Sequence, residues 1–294
     1  ILYCFMLKGS IVALITPFKD GSLDEKNYIK LIDYHLKNGT NGVVPGGTTG
    51  ESPTLSHNEH KKIIEIAIKE CNSKIPVIAG TGSNSTDEAI ELSKFAEKAG
   101  SDALLIVTPY YNKPTQEGLY QHYKKINDNV GIPIIIYNIP SRSVIDMSID
   151  TMTKLFELKN ITGVKDATGD LKRVTLQKKS MGNEFIQLTG NDDNALEFNK
   201  LGGVGAIGVT ANIAARLSSE FQNACVDNMD KATELNKILQ PLHAAMFIES
   251  NPSPVKFAAS LLKMCQADVR LPLVEVTDSS KKKITESLKV AKIL

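Results

Sequence analysis

Cysteine is scarce in this chain, with four residues in 294: Cys4, Cys71, Cys225 and Cys265 lie far apart, form no C-x-x-C pair and have no histidine at metal-ligand spacing. That excludes a disulfide framework or a zinc cluster and fits the reduced thiols of a cytoplasmic protein. Histidine is as thin. His35, His57, His60, His122 and His243 all fall in helical segments rather than at strand ends. His57 and His60 would supply only half of a metal site, so no catalytic metal is expected. Charge of one sign is also missing: 34 basic and 33 acidic residues leave a net +1, and Lys281-Lys282-Lys283 is the only block of like charge. Nucleic acid and membrane surfaces are therefore not expected partners. The apolar opening, residues 1 to 7, has neither a basic leader nor a small-residue cleavage site and is too short to span a bilayer; Met6 reads as the start residue. With 42% hydrophobic and 23% charged residues, the composition is that of one large globular domain or a barrel with a modest extension, and not of a disordered or fibrous chain.

What the chain does have is repetition. Short β-branched runs at residues 10–15, 42–46, 76–80, 102–107, 132–137, 161–165, 185–188 and 203–209 give eight candidate strands. Helical stretches separate them: Ile29, Ile32 and Leu36 make one apolar stripe, and Ile63, Ile64, Ala67, Ile68 and Cys71 another. Ser56-x-x-Glu59 and Ser85-x-x-Glu88 read as capping boxes opening two of these helices. Strands alternating with helices pair in parallel through right-handed crossovers, and eight such units close a barrel. The expected fold is a (β/α)8 TIM barrel over residues 6–225 with a C-terminal helical extension over 226–294; a six-stranded doubly wound sheet is the alternative.

In such a barrel the carboxyl ends of the strands converge on one face, where active sites lie. The polar and glycine-rich segments fall there: Gly46 to Ser52, Gly80-Thr81-Gly82, Thr108 to Asn112, Tyr137 to Arg142, Lys165-Asp166, Thr189 to Asp192 and Thr210 to Asn212. Lys165 stands out because its neighbours Ile161, Gly163, Val164 and Ala167 are apolar or small. An exposed amine is almost wholly protonated at neutral pH, so a nucleophilic lysine needs its pKa lowered by roughly 2 to 3 units, which burial can supply. The plainer reading is a strand-end lysine reaching solvent or pairing with Asp166. The Gly46 to Ser52 loop can cradle an anion or serve as a simple strand-to-helix turn; it lacks the lysine of a phosphate loop, and Gly80-Thr81-Gly82-Ser83-Asn84-Ser85 lacks the third glycine of a dinucleotide fingerprint. Tyr110, Tyr111 and Tyr137 are either rim aromatics or, with the hydroxyls of Thr48 and Thr49, a proton relay. Arg142 offers a fork suited to a carboxylate.

Four ordered segments resemble the dihydrodipicolinate synthase family: Gly47-Thr48-Thr49-Gly50-Glu51-Ser52, Thr108-Pro109-Tyr110-Tyr111-Asn112, Tyr137-Asn138-Ile139-Pro140-Ser141-Arg142 and Gly163-Val164-Lys165-Asp166-Ala167-Thr168-Gly169. The similarity runs essentially end to end, taking in Ser10-Ile11-Val12-Ala13, Glu249-Ser250-Asn251-Pro252, Pro254-Val255-Lys256 and Arg270-Leu271-Pro272-Leu273. The resemblance implies condensation of pyruvate with aspartate 4-semialdehyde in lysine and diaminopimelate biosynthesis, through an enamine on Lys165 and with no metal or organic cofactor. It implies Lys165 as the Schiff-base lysine, Tyr137 as the proton-transferring tyrosine, Thr49 as its relay partner and Tyr111 as a tyrosine lent by a neighbouring subunit. Thr48, Gly190 and Ile207 match substrate-binding positions, and Arg142 matches the clamp for the semialdehyde carboxylate. It further implies a homotetramer built as a dimer of tight dimers, and feedback inhibition by free lysine in a pocket of Ser52, Pro53, His57, His60, Asn84, Glu88 and Tyr110. Gly46, Pro53, Asp166 and Ser253 depart from the residues more often seen; Pro53 stiffens its loop and bears on regulation.

Two other functions compete. A pyruvate aldolase of the same superfamily, such as N-acetylneuraminate lyase or a keto-deoxy sugar acid aldolase, would share the lysine and tyrosine but lack Arg142, because a polyol tail binds there. A non-catalytic barrel sensing a small anion would keep the glycine loops without needing Lys165, Tyr137 and Thr49 together.

Overall fold

The computed structural model describes residues 7–294; Cys4 and the start residue read at Met6 lie outside them. The chain opens with β1 (Gly9–Ala13), a hairpin of β2 (Phe18–Lys19) and β3 (Ser22–Leu23), and α1 (Glu25–Lys37). Then strands and helices alternate: β4 (Gly42–Val44), α2 (His57–Cys71), β5 (Ile78–Gly80), α3 (Thr86–Ala99), β6 (Ala103–Val107), α4 (Gln116–Asn127) and β7 (Ile134–Asn138). A one-turn helix α5 (Pro140–Ser143) and α6 (Ile149–Phe156) lead to β8 (Ile161–Asp166), α7 (Lys172–Met181), β9 (Ile186–Thr189), α8 (Ala195–Lys200) and β10 (Gly205–Gly208). Four helices finish the chain: α9 (Ala215–Asp227), α10 (Met229–Met246), α11 (Ser253–Leu261) and α12 (Asp278–Val290).

All eight expected strands are present and pair in parallel in the order β4-β1-β10-β9-β8-β7-β6-β5, with a parallel bridge between Val43 and Val77 joining the two ends. This is the (β/α)8 barrel with C-terminal helices; the doubly wound alternative falls. Alternate strand residues point inward, so Ile11 and Ala13, Ile135 and Tyr137, and Ile186 and Leu188 fill one interior cluster. The opposite parity packs against the helices, where Leu104, Ile106, Ile134 and Ile136 meet Leu119, Tyr123 and Met152. The helices after β10 are part of the same core, since Leu239, Leu242, Val255 and Ile284 cluster with Val12, Leu14 and Val43. Gly163 is required where it stands, because a Cβ there would lie 2.3 Å from the Ile186 carbonyl oxygen of the adjacent strand.

Two local expectations change. The inward face of α1 is Tyr28, Leu31, Ile32 and His35, so Ile29 lies on the solvent side. The Ser56–Glu59 capping box forms in full, but the one at Ser85 is only half made: Ser85 caps the Glu88 amide, while its own N–H goes to Ser83 Oγ and the Glu88 carboxylate binds Ser83 and His57 instead. His60, on the first turn of α2, is buried and bonds the Gly80 carbonyl at 2.7 Å. No helix among the described residues is long and apolar enough to cross a membrane.

Candidate active site

At the carboxyl ends of the strands lies a cavity of about 540 Å³. Its walls come from the loop after β4 (Thr48, Thr49), β7 and its loop (Tyr137, Arg142), β8 (Lys165), the loop after β9 (Gly190) and α10 with the residue that caps it (His243, Phe247). Lys165 and Tyr137 are direct partners in the β7–β8 register, both on the inward parity, and this brings them together. Lys165 is 5% exposed and carries its Nζ 4.1 Å above the centre of the Tyr137 ring. It makes no salt bridge among the described residues. Asp166, the partner allowed for in the plainer reading, faces the other way and accepts bonds from Arg173 Nε (3.1 Å), Gln177 Nε2 (3.1 Å) and Thr168 Oγ1 (2.6 Å). Arg173 also reaches Asp146 and the Met147 carbonyl, and Asn138 bonds Asp146 from β7, so buried and part-buried polar contacts brace the strand ends that carry Tyr137 and Lys165.

Gly190 lies against the lysine. A Cβ at Gly190 would come within 3.0 Å of Lys165 Cε and 2.8 Å of Ala167 Cβ, so only glycine leaves the side chain its path into the cavity. Thr49 is buried, and its hydroxyl accepts a bond from Asn251 Nδ2 at 3.0 Å; no hydrogen bond among the described residues joins it to Tyr137. Thr48 is half-buried on the same wall. Arg142 is exposed at the mouth and donates to the Asn251 carbonyl at 3.3 Å. Ile207, matched to a substrate position, is fully buried in the barrel interior and is not part of the cavity wall. Tyr111 stands outside the cavity too, 88% exposed, with a φ of 73°.

Asn251 and His243 are among the wall residues that carried no role in the sequence reading. Asn251 comes from the segment between α10 and α11. His243 comes from α10, bonds Thr210 Oγ1 at 2.7 Å, and is held below the usual histidine pKa by burial, against the opposing pull of Asp192 and Asp193. Behind the threonine loop, Glu51 and Lys256 form a fully buried ion pair at 2.7 Å; burial lowers the Lys256 pKa, and Glu51 opposes that shift. Among the described residues no group of three or more His, Cys, Asp or Glu is arranged to hold a metal.

Of the residues matched to a lysine pocket, Pro53, His57 and Tyr110 are exposed, Ser52, Asn84 and Glu88 are half-buried, and His60 is buried. His57 Nε2 meets Glu88 Oε1 at 3.0 Å, and Asn84 Nδ2 donates to the Tyr110 carbonyl at 3.2 Å. Ser52 and Pro53 form a short 3-10 turn just before α2.

A parallel barrel with a desolvated lysine at a strand's carboxyl end, in register with a tyrosine and opening on an arginine-flanked mouth, defines a lyase of the class I aldolase type. Residues 6–291 match the dihydrodipicolinate synthetase family. A 4-hydroxy-tetrahydrodipicolinate synthase from Pelagibacter ubique is 68% identical over 98% of this chain and 100% of its own length. Among solved structures, a dihydrodipicolinate synthase from Acinetobacter baumannii complexed with pyruvate is 46% identical, with a TM-score of 0.96 over 98% of this chain and 100% of that one. One from Cyanidioschyzon merolae with lysine bound is 34% identical, with a TM-score of 0.95 over 98% and 99%. The chain belongs to the dihydrodipicolinate synthetase family, and its reaction is the condensation of pyruvate with aspartate 4-semialdehyde in lysine and diaminopimelate biosynthesis.

Proposed function

We propose that Lys165 is the nucleophile of this condensation. The observation that carries the reading is a buried amine, without a carboxylate partner among the described residues, set over the Tyr137 ring on the cavity wall. The amine adds to the pyruvate ketone and water leaves, giving an imine whose positive charge acidifies the methyl group. Loss of a methyl proton gives an enamine, which attacks the aldehyde carbon of the second substrate. The amino group of that substrate then displaces Lys165 from the imine carbon, closing the ring and freeing the enzyme.

Tyr137 is the group we assign to proton transfer, supported by its register with Lys165 and its place on the wall. A threonine hydroxyl relays the proton. Thr49 is the expected relay: its oxygen accepts from Asn251, which leaves its hydrogen to donate, while the Thr48 hydroxyl has no partner among the described residues. Comparing Thr48→Val with Thr49→Val identifies which one serves. Arg142 clamps the semialdehyde carboxylate at the mouth, which is the feature a polyol-binding aldolase would lack. Thr48 and Gly190 border the pyruvate end, and Ile207 supports it from the interior.

The assembly we infer is a homotetramer of two tight dimers, in which Tyr111, so exposed in the single chain, completes the site of a neighbouring subunit. Free lysine inhibits at the dimer interface through Glu88, His57, His60, Asn84, Tyr110 and Ser52, with Pro53 stiffening the approach; the C. merolae neighbour is described with lysine bound. The compartment is the cytoplasm, in keeping with the free thiols of Cys71, Cys225 and Cys265. The reading is tested by assaying the purified protein with both substrates. Lys165→Ala should lose nearly all turnover with its fold retained, and Tyr137→Phe should lose about 10²-fold or more; wild-type rates in either variant would refute the assignment.

A further inference from the structure

The stretch from Asn251 to Lys256 and the later Arg270 take no part in the chemistry above, yet they converge on one loop of the barrel. Each residue of Thr49-Gly50-Glu51 is gripped. Asn251 Nδ2 donates to Thr49 Oγ1 at 3.0 Å, and Thr16 Oγ1 donates to the Gly50 carbonyl at 2.7 Å. Lys256 Nζ donates to Glu51 Oε1 at 2.7 Å, and the Arg270 amide donates to Glu51 Oε2 at 3.0 Å. The cations of Lys256 and Arg270 stand 4.2 and 4.1 Å from the Phe18 ring centre, fixing them further. Glu51 itself is held in the left-handed region at φ 56°, a conformation that a non-glycine residue keeps only where its surroundings enforce it.

We propose that Asn251 is a positioning residue for the condensation, orienting the Thr49 hydroxyl toward the Lys165 end of the cavity while the Glu51–Lys256 pair anchors the loop beneath it. A hydroxyl has one hydrogen to donate. When its oxygen accepts the Asn251 amide, that hydrogen is free for an oxygen in the cavity, whether of the bound keto acid or of Tyr137. The same residue holds Arg142 by its backbone carbonyl, which no side-chain change removes. The side chain therefore acts on the pyruvate end and leaves the semialdehyde clamp alone. This inference rests on the Schiff-base reading of Lys165.

The test uses the full-length enzyme and compares Asn251→Ala, the near-isosteric Asn251→Asp, Thr49→Val and the double variant Asn251→Ala/Thr49→Val. Asn251→Asp keeps the side-chain shape and should remain folded, checked by its thermal melt. Its carboxylate would draw the Thr49 hydrogen to itself, and kcat should fall roughly tenfold or more. Asn251→Ala should lower kcat with little change in KM for the semialdehyde, and the double variant should be no slower than Thr49→Val alone, as for residues acting through one another. Wild-type kcat in folded Asn251→Asp, or fully additive losses in the double variant, would overturn the proposal. Failure of the underlying reading is seen separately, as absence of a borohydride-trapped adduct in the unaltered enzyme.

Discussion

Replacing Gly190 by alanine adds a single methyl group against Lys165, the proposed nucleophile. The new Cβ would lie 2.8 Å from Ala167 Cβ and 3.0 Å from Lys165 Cε. Carbon atoms rest about 3.5 to 4.0 Å apart, so the neighbours must yield by about 0.5 to 0.7 Å or more. Ala167 has no rotamer to change, and moving it shifts the end of β8. The Lys165 side chain can swing, and the least costly relief is to push its amine off line. A displacement approaching 1 Å in an attacking group costs about 10²-fold, and overpacking of this kind destabilises a fold by about 1 to 3 kcal/mol. Gly190→Ala should therefore remain folded, with a melting temperature lowered by a few degrees, while the rate of pyruvate imine formation falls about 10²-fold. The assay is the rate of borohydride-trapped mass gain with pyruvate alone, beside a thermal melt. Trapping at the wild-type rate in a folded Gly190→Ala would refute the placement of Lys165 against Gly190.

Arg142→Ala should raise KM for the semialdehyde at least tenfold while pyruvate trapping keeps its rate, since a lost charge-assisted hydrogen bond is worth about 1.5 to 3 kcal/mol; equal damage to both would refute the clamp. Initial velocity of the wild type should fall with millimolar lysine and that of Glu88→Thr should not, whereas a lysine-insensitive wild type would leave the His57–Glu88 contact as local structure only. Stability should drop in acid. Burial lowers the pKa of His35 from 6.5 to about 3 and of His122 to about 4, and that of His60 and His243 in the same direction. The unfolded chain therefore takes up protons first, and the stability present above pH 6.5 is lost as pH falls toward 4 and below. Glu59, held down to about 2 chiefly by its hydrogen bond to Arg270, adds a further loss below its ordinary value of 4.5. Urea midpoints measured from pH 7.5 to 4.5 should fall steadily, and a flat profile would contradict the burial of these rings.

The barrel was legible because each strand is a short β-branched run bounded by turn residues, and the site because strand ends in this topology meet on one face. Lys165 and Tyr137 fall on one parity in neighbouring strands, so their meeting follows from the fold once the strands are found. The hairpin of β2 and β3 escaped notice because two residues per strand carry no periodic signal. Ile29 misled because α1 buries Tyr28 instead, a choice made by the barrel it packs on and not by apolarity alone. Asn251 and His243 were beyond reach for a different reason: they arrive at the wall from α10 and the turn that follows it, far along the chain, and only tertiary packing shows that Asn251 meets Thr49, 202 residues away. The Glu51–Lys256 pair is hidden likewise, since a glutamate in a glycine loop and a lysine on a late helix both read as surface charges until they are seen buried together.

The central claim is that one buried amine, that of Lys165, carries the reaction. It is tested most directly by incubating the protein with pyruvate, reducing with borohydride, and locating the added mass by peptide mass spectrometry. The expected result is one stable pyruvate-derived adduct per chain, on Lys165, and none in Lys165→Ala; an adduct on any other lysine, or no adduct at all, would contradict it.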